Sequence, residues 1–489
     1  TLISTNFTNA EKISITNAAT AGAQTLSVNG VSALTELGSS GSTRAFSFNN
    51  VDHVVGMSLT NTAVDAAFNF LTAATTGSSD IGTLTLSGVG SATTPTLPAV
   101  TIEAGTGAGG GDVANSLETL NIISNGTATN LITLTTNATQ TSLATLNVTG
   151  AANLIAELAA DNIATRATTI NASAATGNVQ IGADSGGTTT TTLGAANHNV
   201  TFGSGNDTVY FGANLNASDT VNGGAGTDTL GVSAVLTEAQ MTNVSNREVI
   251  RFDVNGASVT QDVNVLTGFS QFAVRGANTL TLNNTGSSTG VTVAGTTTTL
   301  TATLKDAAGL ADTLTVTINN TANNGAVTLT TLTNVTGLET LNLVSGGGTG
   351  INTITTDSVT AKHVITGSAP LLFGGAAAAI LDGTSTAIAA TNVDASALSG
   401  TLGIELSNTA TSVVGGSGND TITGGTGNDT INGGTGNDVI TLGTLAANNA
   451  PGADVVATST GNDVVRFVGT IADGTANGAT TAANLYALM

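Results

Sequence analysis

Through most of the chain, aliphatic and small polar residues alternate in short runs. TLTLSGV (83–89), NTLTLNNT (278–285), TLTVTINN (313–320) and AVTLTTL (326–332) interleave Leu, Val or Ile with Thr or Asn. A period of two marks a strand with one buried and one solvated face. Glycine- and asparagine-rich stretches separate the runs at short intervals, so the pattern predicts many short strands and little helix. Two stretches are spaced more like helices, LIAELAADNIATR (154–166) and DAAFNFLTAA (65–74). The longest apolar run, PLLFGGAAAAIL (370–381), is too short and too glycine-rich to span a bilayer.

The strand pattern is itself repeated. A Glu flanked by aliphatics recurs in SLETLNIISNG (116–126) and VTGLETLNLVSGG (335–347), and more loosely in NAEKISITNA (9–18) and NREVIRFDVNG (246–256). A second motif pairs INASAATGNVQI (170–181) with VDASALSGTLGI (393–404), and a third is rich in glycine and aspartate. The three follow the same order twice: Glu118, Asn171 and Asp207 are matched by Glu339, Asp394 and Asp420, 221, 223 and 213 residues later. We read one module used twice. The expected segments are an N-terminal ladder (1–105), a first module ending in a glycine–aspartate block (106–231), a second such module (232–441) and a degenerate C-terminal segment (442–489). Stacked repeats of this kind predict an all-β fold, an elongated β-solenoid or parallel β-helix with few short helices. Leu117, Leu120 and Ile122, with Leu338, Leu341 and Leu343, are expected to be buried between rungs. Glu118 and Glu339 are expected to face turns or bond the backbone, with calcium ligation the alternative.

The third motif is sharpest at 415–441, GGSGNDTIT GGTGNDTIN GGTGNDVIT. Its glycines are Gly415, Gly416 and Gly418, then Gly424, Gly425 and Gly427, then Gly433, Gly434 and Gly436. They permit tight turns and leave carbonyls unshielded. Asp420, Asp429 and Asp438 each add a hard anionic oxygen, and Ile422, Ile431 and Ile440 should point into the core. Stacked turns would align these oxygens in a column. Calcium takes six to eight oxygen ligands at about 2.3–2.6 Å in flexible geometry, whereas magnesium demands a tighter octahedron. FGSGNDTVY (202–210), NLNASDTVN (214–222) and GGAGTDTLG (223–231) supply Asp207, Asp219 and Asp228 with Gly224 and Gly226, and Val209, Val221 and Leu230 for the core. Asn216 and Ala217 stand there in place of glycines. NAPGADVVA (449–457) and TSTGNDVVR (458–466) keep Asp454 and Asp463 but lose the double glycine. The competing reading is a turn array without metal. The nonapeptide resembles the RTX repeat, which implies calcium-binding β-roll blocks.

Charge and composition narrow the partners. Nine basic residues oppose 31 acidic ones, giving a net charge of −22. That disfavours nucleic acid and favours a multivalent cation. The chain has no Cys, so disulfides and Cys–zinc sites are excluded. No signal peptide opens the chain, and a start at Thr1 rather than Met fits a fragment or processed product.

The Thr/Ala/Gly-rich ladders, the ASA-type segments, the interspersed glycine–aspartate blocks, the absence of Cys and the scarcity of Lys together resemble the RTX surface-layer proteins of Gram-negative bacteria, the Caulobacter type. The resemblance implies export by a type I secretion system, a cell-surface location and self-assembly into a two-dimensional lattice. A cell-surface glycan or lipopolysaccharide is a further partner it allows. The end GATTAANLYALM matches an export signal poorly, and no N-terminal anchoring region is evident. A secreted calcium-dependent adhesin is the alternative. Enzymatic readings find little support. His53, His198 and His363 form no HExxH motif, and GSSTG (286–290), around Ser288, reads as a turn between strands rather than a nucleophile elbow. His363 is expected on a strand, facing solvent or a neighbour. Lys12, Lys305 and Lys362 are the only lysines, too few for an acylated pore-forming toxin.

Overall fold

The computed structural model describes residues 2–3, 9–77, 79–90, 97–104, 117–135, 143–158, 169–182, 192–254, 256–276, 279–295, 297–306, 308–309, 311–319, 327–333, 336–348, 350–374, 387–445, 454–457 and 460–469. It divides into two compact units, Thr1–Arg251 and Phe252–Met489. Each unit is a parallel β-roll solenoid. Successive strands alternate between two parallel sheets, so each coil of chain gives one strand to each sheet. In the first unit a ten-stranded sheet runs from Lys12–Ile15 to Val244–Ser245. In the second a ten-stranded sheet runs from Ser258–Asp262 to Val464–Gly469.

The alternating sequence pattern explains this construction. Identical positions of successive coils stack in register, so each inward aliphatic meets another from the coil below, about 4.8 Å away. Leu120, Leu146, Ile170, Val200 and Val221 form one such ladder, all of them buried. Leu314, Leu341, His363, Val393, Val413 and Ile431 form another. Leu117, Leu120, Ile122, Leu338, Leu341 and Leu343 are all buried, as the period of two requires. Outward positions carry Thr, Ser and Asn that bond one another across coils, as in Asn147 Nδ2 to Asn121 Oδ1 (2.8 Å) and Asn69 Nδ2 to Asn49 Oδ1 (2.6 Å).

Two local expectations change and a third is narrowed. Leu154–Leu158 is a strand with Leu154, Ala156 and Leu158 buried, and residues 159–166 lie outside the described residues. Ala66–Phe70 is likewise a strand, followed by a 3-10 turn at Thr72–Thr75. Helix propensities of a few tenths of a kcal/mol per residue yield there to a full set of parallel backbone bonds and to stacking such as Phe48 on Phe68, 5.6 Å between centroids. The third is narrowed: His363 lies on a strand, as expected, and of solvent or a neighbour it faces a neighbour, wholly buried. Its Nε2 meets Asp357 Oδ2 at 2.6 Å and its Nδ1 meets the Ala361 carbonyl at 2.9 Å. The period of two in KHVITG turns Lys362 outward and therefore His363 inward.

The recurring ASA motif also acquires a role. Asn171 Oδ1 accepts from Ser173 N–H (3.1 Å) and Oγ (2.7 Å), and Asp394 Oδ1 accepts from Ser396 N–H (3.2 Å) and Oγ (2.7 Å). The pairing register slips at both places, so each motif builds a bulge.

Replacing Leu341 by Asp should lower stability by about 3 kcal/mol or more, since it buries a charge in the ladder, whereas Thr340→Asp on the outward face should cost about 1 kcal/mol or less. Denaturation of both variants in calcium checks the register, and equal losses would contradict it.

Candidate metal centre

In the block 415–441 one nonapeptide is half a coil, so its aspartates fall into two columns rather than one. On one side the Leu402 N–H donates to Asp420 Oδ1 (2.8 Å), the Asp420 N–H to Asp438 Oδ1 (2.9 Å) and the Asp438 N–H to Asp463 Oδ1 (3.0 Å). On the other the Thr411 N–H donates to Asp429 Oδ1 and the Asp429 N–H to Asp454 Oδ1, both at 2.9 Å. The first block repeats the scheme. Val179 N–H bonds Asp207 Oδ1 (2.6 Å), Asp207 N–H bonds Asp228 Oδ1 (2.7 Å), and Asp228 N–H bonds Glu248 Oε2 (2.8 Å). Across from it, His198 N–H bonds Asp219 Oδ1 (2.7 Å). Asp420 and Asp438 therefore share a column, while Asp429 stands opposite; Asp207 and Asp228 share one, while Asp219 stands opposite. The aliphatics two residues on, Ile422, Ile431, Ile440, Val209, Val221 and Leu230, are all buried.

Close approach explains the glycines. Gly434 and Gly436 have φ of 89° and 127°, and a side chain on either would strike the carbonyl oxygen of Gly416 or Gly418 in the coil below. Gly224 and Gly226 stand likewise over Gly203 and Gly205. A methyl group on Gly415 would lie 2.6 Å from Asp420 Oδ2, and one on Gly223 2.5 Å from Asp228 Oδ2. A methyl on Gly433 would crowd Asp438, and methyls on Gly425 and Gly427 would crowd the backbone of Ser407 and Thr409. Gly424 donates its N–H to the Thr441 carbonyl (2.8 Å).

Burial makes these carboxylates unusual. Asp207, Asp219, Asp228, Asp420, Asp429 and Asp438 are no more than 1% exposed. One oxygen of each accepts a backbone N–H. The second, Oδ2, has no partner in Asp228, Asp438 and Asp454, while in Asp207 and Asp429 it lacks a well-formed bond but has the Gly203 or Gly425 N–H close by. Asp420 Oδ2 accepts the Gly416 N–H (2.8 Å). Asp219 differs: Oδ2 accepts the Asn216 N–H (2.6 Å), in the turn where Asn216 and Ala217 replace glycines. Loss of water pushes Asp207 and Asp420 up to about 6, and it raises Asp228, Asp429, Asp438 and Asp454 as well. The next acid of the column adds to the effect, Asp228 on Asp207 and Asp438 on Asp420.

A buried anionic oxygen without a donor fits a hard cation. Among the described residues no three His, Asp or Glu side chains converge, so most ligands would have to be backbone carbonyls. Calcium, with many oxygens and loose geometry, suits such a donor set.

Sequence reasoning missed three parts of the site. The Asn of each GND forms its own exposed ladder, Asn419 Oδ1 accepting from Asn437 N–H (2.9 Å) and Asn437 Oδ1 from Asn462 N–H (2.8 Å). Its recurrence just before Asp207, Asp420, Asp429, Asp438 and Asp463 was the available signal. Glu248 continues the Asp207–Asp228 column. Arg247 lies almost wholly buried near Asp207 and Asp228, its guanidinium 4.9 Å from the Phe202 ring and bonded to the Thr229 carbonyl (3.1 Å). Burial lowers its pKa to about 10, so it remains a cation. The block 415–441 has no Lys or Arg within it.

Ser288 of GSSTG and His363 are not brought together. Ser288 is in register with Thr313, Thr340 and then Lys362, three rungs or about 14 Å away, and it is exposed where His363 is buried.

The model of the RTX calcium-binding nonapeptide repeat (four copies) matches residues 216–230 and 410–444. No curated protein matches the chain. The chain thus carries RTX repeats, and its cofactor is calcium. Asp207, Asp454 and Asp463 lie outside the match yet continue the same columns.

Two outcomes follow from the electrostatics. A carboxyl whose folded pKa exceeds its unfolded value holds its proton more tightly when folded, so stability is present at low pH and is lost as pH rises through the folded value. Metal-free protein should therefore melt higher at pH 5 than at pH 7.5, while calcium affinity falls as pH drops through about 6. Circular dichroism melts with and without calcium check both signs. Arg247→Met should leave 202–231 as calcium-dependent as 415–441, which hydrogen exchange of metal-free protein would show as lost protection in the first block alone.

Proposed function

We propose that this is a structural surface-layer protein, stiffened by calcium and assembling with copies of itself into a two-dimensional lattice outside the cell. The carboxylates of Asp207, Asp228, Asp420, Asp429, Asp438, Asp454 and Asp463, with glycine carbonyls of adjoining coils, hold the calcium. The observation that carries the reading is the outward face of the sheets. It consists of Thr, Asn and Ser ladders bonded coil to coil, as in Asn342 to Thr315 and Thr301 to Thr333, with little charge. Such side chains are already ordered, so repeated contacts cost less entropy. Proteins with RTX repeats are typically secreted. No described helix is long and apolar enough to cross a membrane. Type I export and anchoring through a cell-surface glycan or lipopolysaccharide belong to the same reading.

Calcium relieves the mutual repulsion of buried acids and ties each coil to the next. A lattice needs fixed contact geometry, because open heterologous contacts propagate only if it is constant. Sheet formation should therefore require calcium at or above the level that folds the RTX blocks, and Asp429→Ala should raise the assembly threshold while leaving most β-signal intact. Light scattering against calcium, with circular dichroism on the same samples, measures both. Calcium-loaded, folded protein that stays monomeric at high concentration would replace the lattice with the adhesin reading.

A further inference from the structure

Three Asp–Glu rungs share one hydrogen-bond pattern: Asp228–Glu248, Asp312–Glu339 and Asp80–Glu118. In each, the Asp N–H donates to Glu Oε2, at 2.8, 2.8 and 2.7 Å. The Asp carbonyl accepts the Glu N–H at 3.2, 3.3 and 3.1 Å, and the following residue's N–H at 3.0, 3.2 and 3.2 Å. The first of these rungs belongs to an RTX block. The other two lie in the ladders, where the match to the repeat does not reach.

What separates the two ladder rungs is the second Asp oxygen. Asp80 is half-buried, and its Oδ2 accepts the Gly77 N–H at 3.0 Å. Asp312 is 5% exposed, and its Oδ2 has no partner. Among the described residues no ion pair reaches Asp312 or Glu339. A methyl group on Gly309 would lie 2.5 Å from Asp312 Oδ2, the same closeness as Gly223 to Asp228 Oδ2. Asp312 thus has the bare, buried oxygen against a glycine that marks the RTX rung. It also has a second carboxylate on its own backbone N–H, and no counterpart of Arg247 is paired with it.

We propose that Asp312 and Glu339 form a calcium site outside the RTX repeats. Two carboxylates supply the formal charge of a divalent cation, and the donors are all hard oxygens, as calcium prefers. Asp80–Glu118 shows the metal-free alternative, in which a glycine N–H takes the place the cation would fill.

The test uses the full chain kept monomeric by dilution, so its result is independent of whether a lattice forms. Calcium bound per chain is counted after equilibrium dialysis against calcium alone. Asp312→Asn and Glu339→Gln should each remove one ion, the double variant no more than one, and Asp80→Asn none. An unchanged count in Asp312→Asn overturns the proposal. Hydrogen exchange of the unsubstituted protein gives a reading that no folding defect can confuse. Peptides covering Asp312–Thr317 and Leu338–Leu343 should exchange about tenfold or more slowly with calcium. They should keep that protection in Asp429→Asn, where the second RTX block is impaired. Absence of calcium-dependent protection there, with protection present at 415–441, also overturns it.

Discussion

Each coil of the RTX blocks is joined to the next by a backbone N–H that donates to an aspartate carboxylate one coil away. The bond brings a formal charge out of water, and its cost rises as coils are added, because successive acids stand directly above one another. The raised pKa of Asp207 and Asp420 shows that tension from the side of the proton. Three solutions to it are present in one chain. A cation can sit on the bare oxygen, a guanidinium can lie close to the column as Arg247 does, or a backbone N–H can cover the second oxygen, as at Asp219 and Asp80. The glycines, the tight turns and the choice of metal all answer the same constraint.

Most of the remainder of each unit is stabilised by apolar ladders. Burying a Leu contributes about 1.5–3 kcal/mol, and stacked coils repeat that gain at every rung. Two asparagines buried in these ladders are fully bonded. Asn130 and Asn352 are each buried and make the same four kinds of contact. Oδ1 accepts from Val89 or Val327 N–H, and Nδ2 donates to a Ser hydroxyl, to the carbonyl after it and to a carbonyl of the preceding coil. His363 and Asp357 satisfy one another in the same way. These residues act as fixed pins where the chain passes from one sheet to the other.

Much of this was legible in the sequence because period-two alternation and the nonapeptide are local signals. The inward Leu and Ile positions could be read from spacing, and the break between strands at GSSTG falls at Gly286–Ser287, with Ser288–Gly290 already in the next strand; Glu118 and Glu339 bond backbone N–H groups, the role expected of them. What was not legible depends on neighbours one coil away. Leu154–Leu158 and Ala66–Phe70 carry helical composition, and only the parallel partners on either side make them strands. The division of the aspartates into two columns depends on how many residues close a coil, which the nonapeptide period does not state. Arg247 lies next to Glu248 in a loose copy of the ladder motif, and nothing local distinguishes it from a surface arginine. Asp312 precedes an ordinary strand and gains its interest only from the Glu that reaches it 27 residues later.

Because one nonapeptide is half a coil, the RTX array obeys a parity rule. Adding or removing a pair lengthens or shortens the roll and leaves every later residue on its own sheet. Adding or removing one exchanges the two sheets for everything downstream, carrying each inward ladder and each acid column to the opposite side. Spacers within a coil have no such effect, and the chain tolerates them: Asp207 meets Asp228 across 21 residues, Asp420 meets Asp438 across 18 and Asp438 meets Asp463 across 25. Gene-level growth of such an array is thus quantised in eighteens, with drift in loop length free in between.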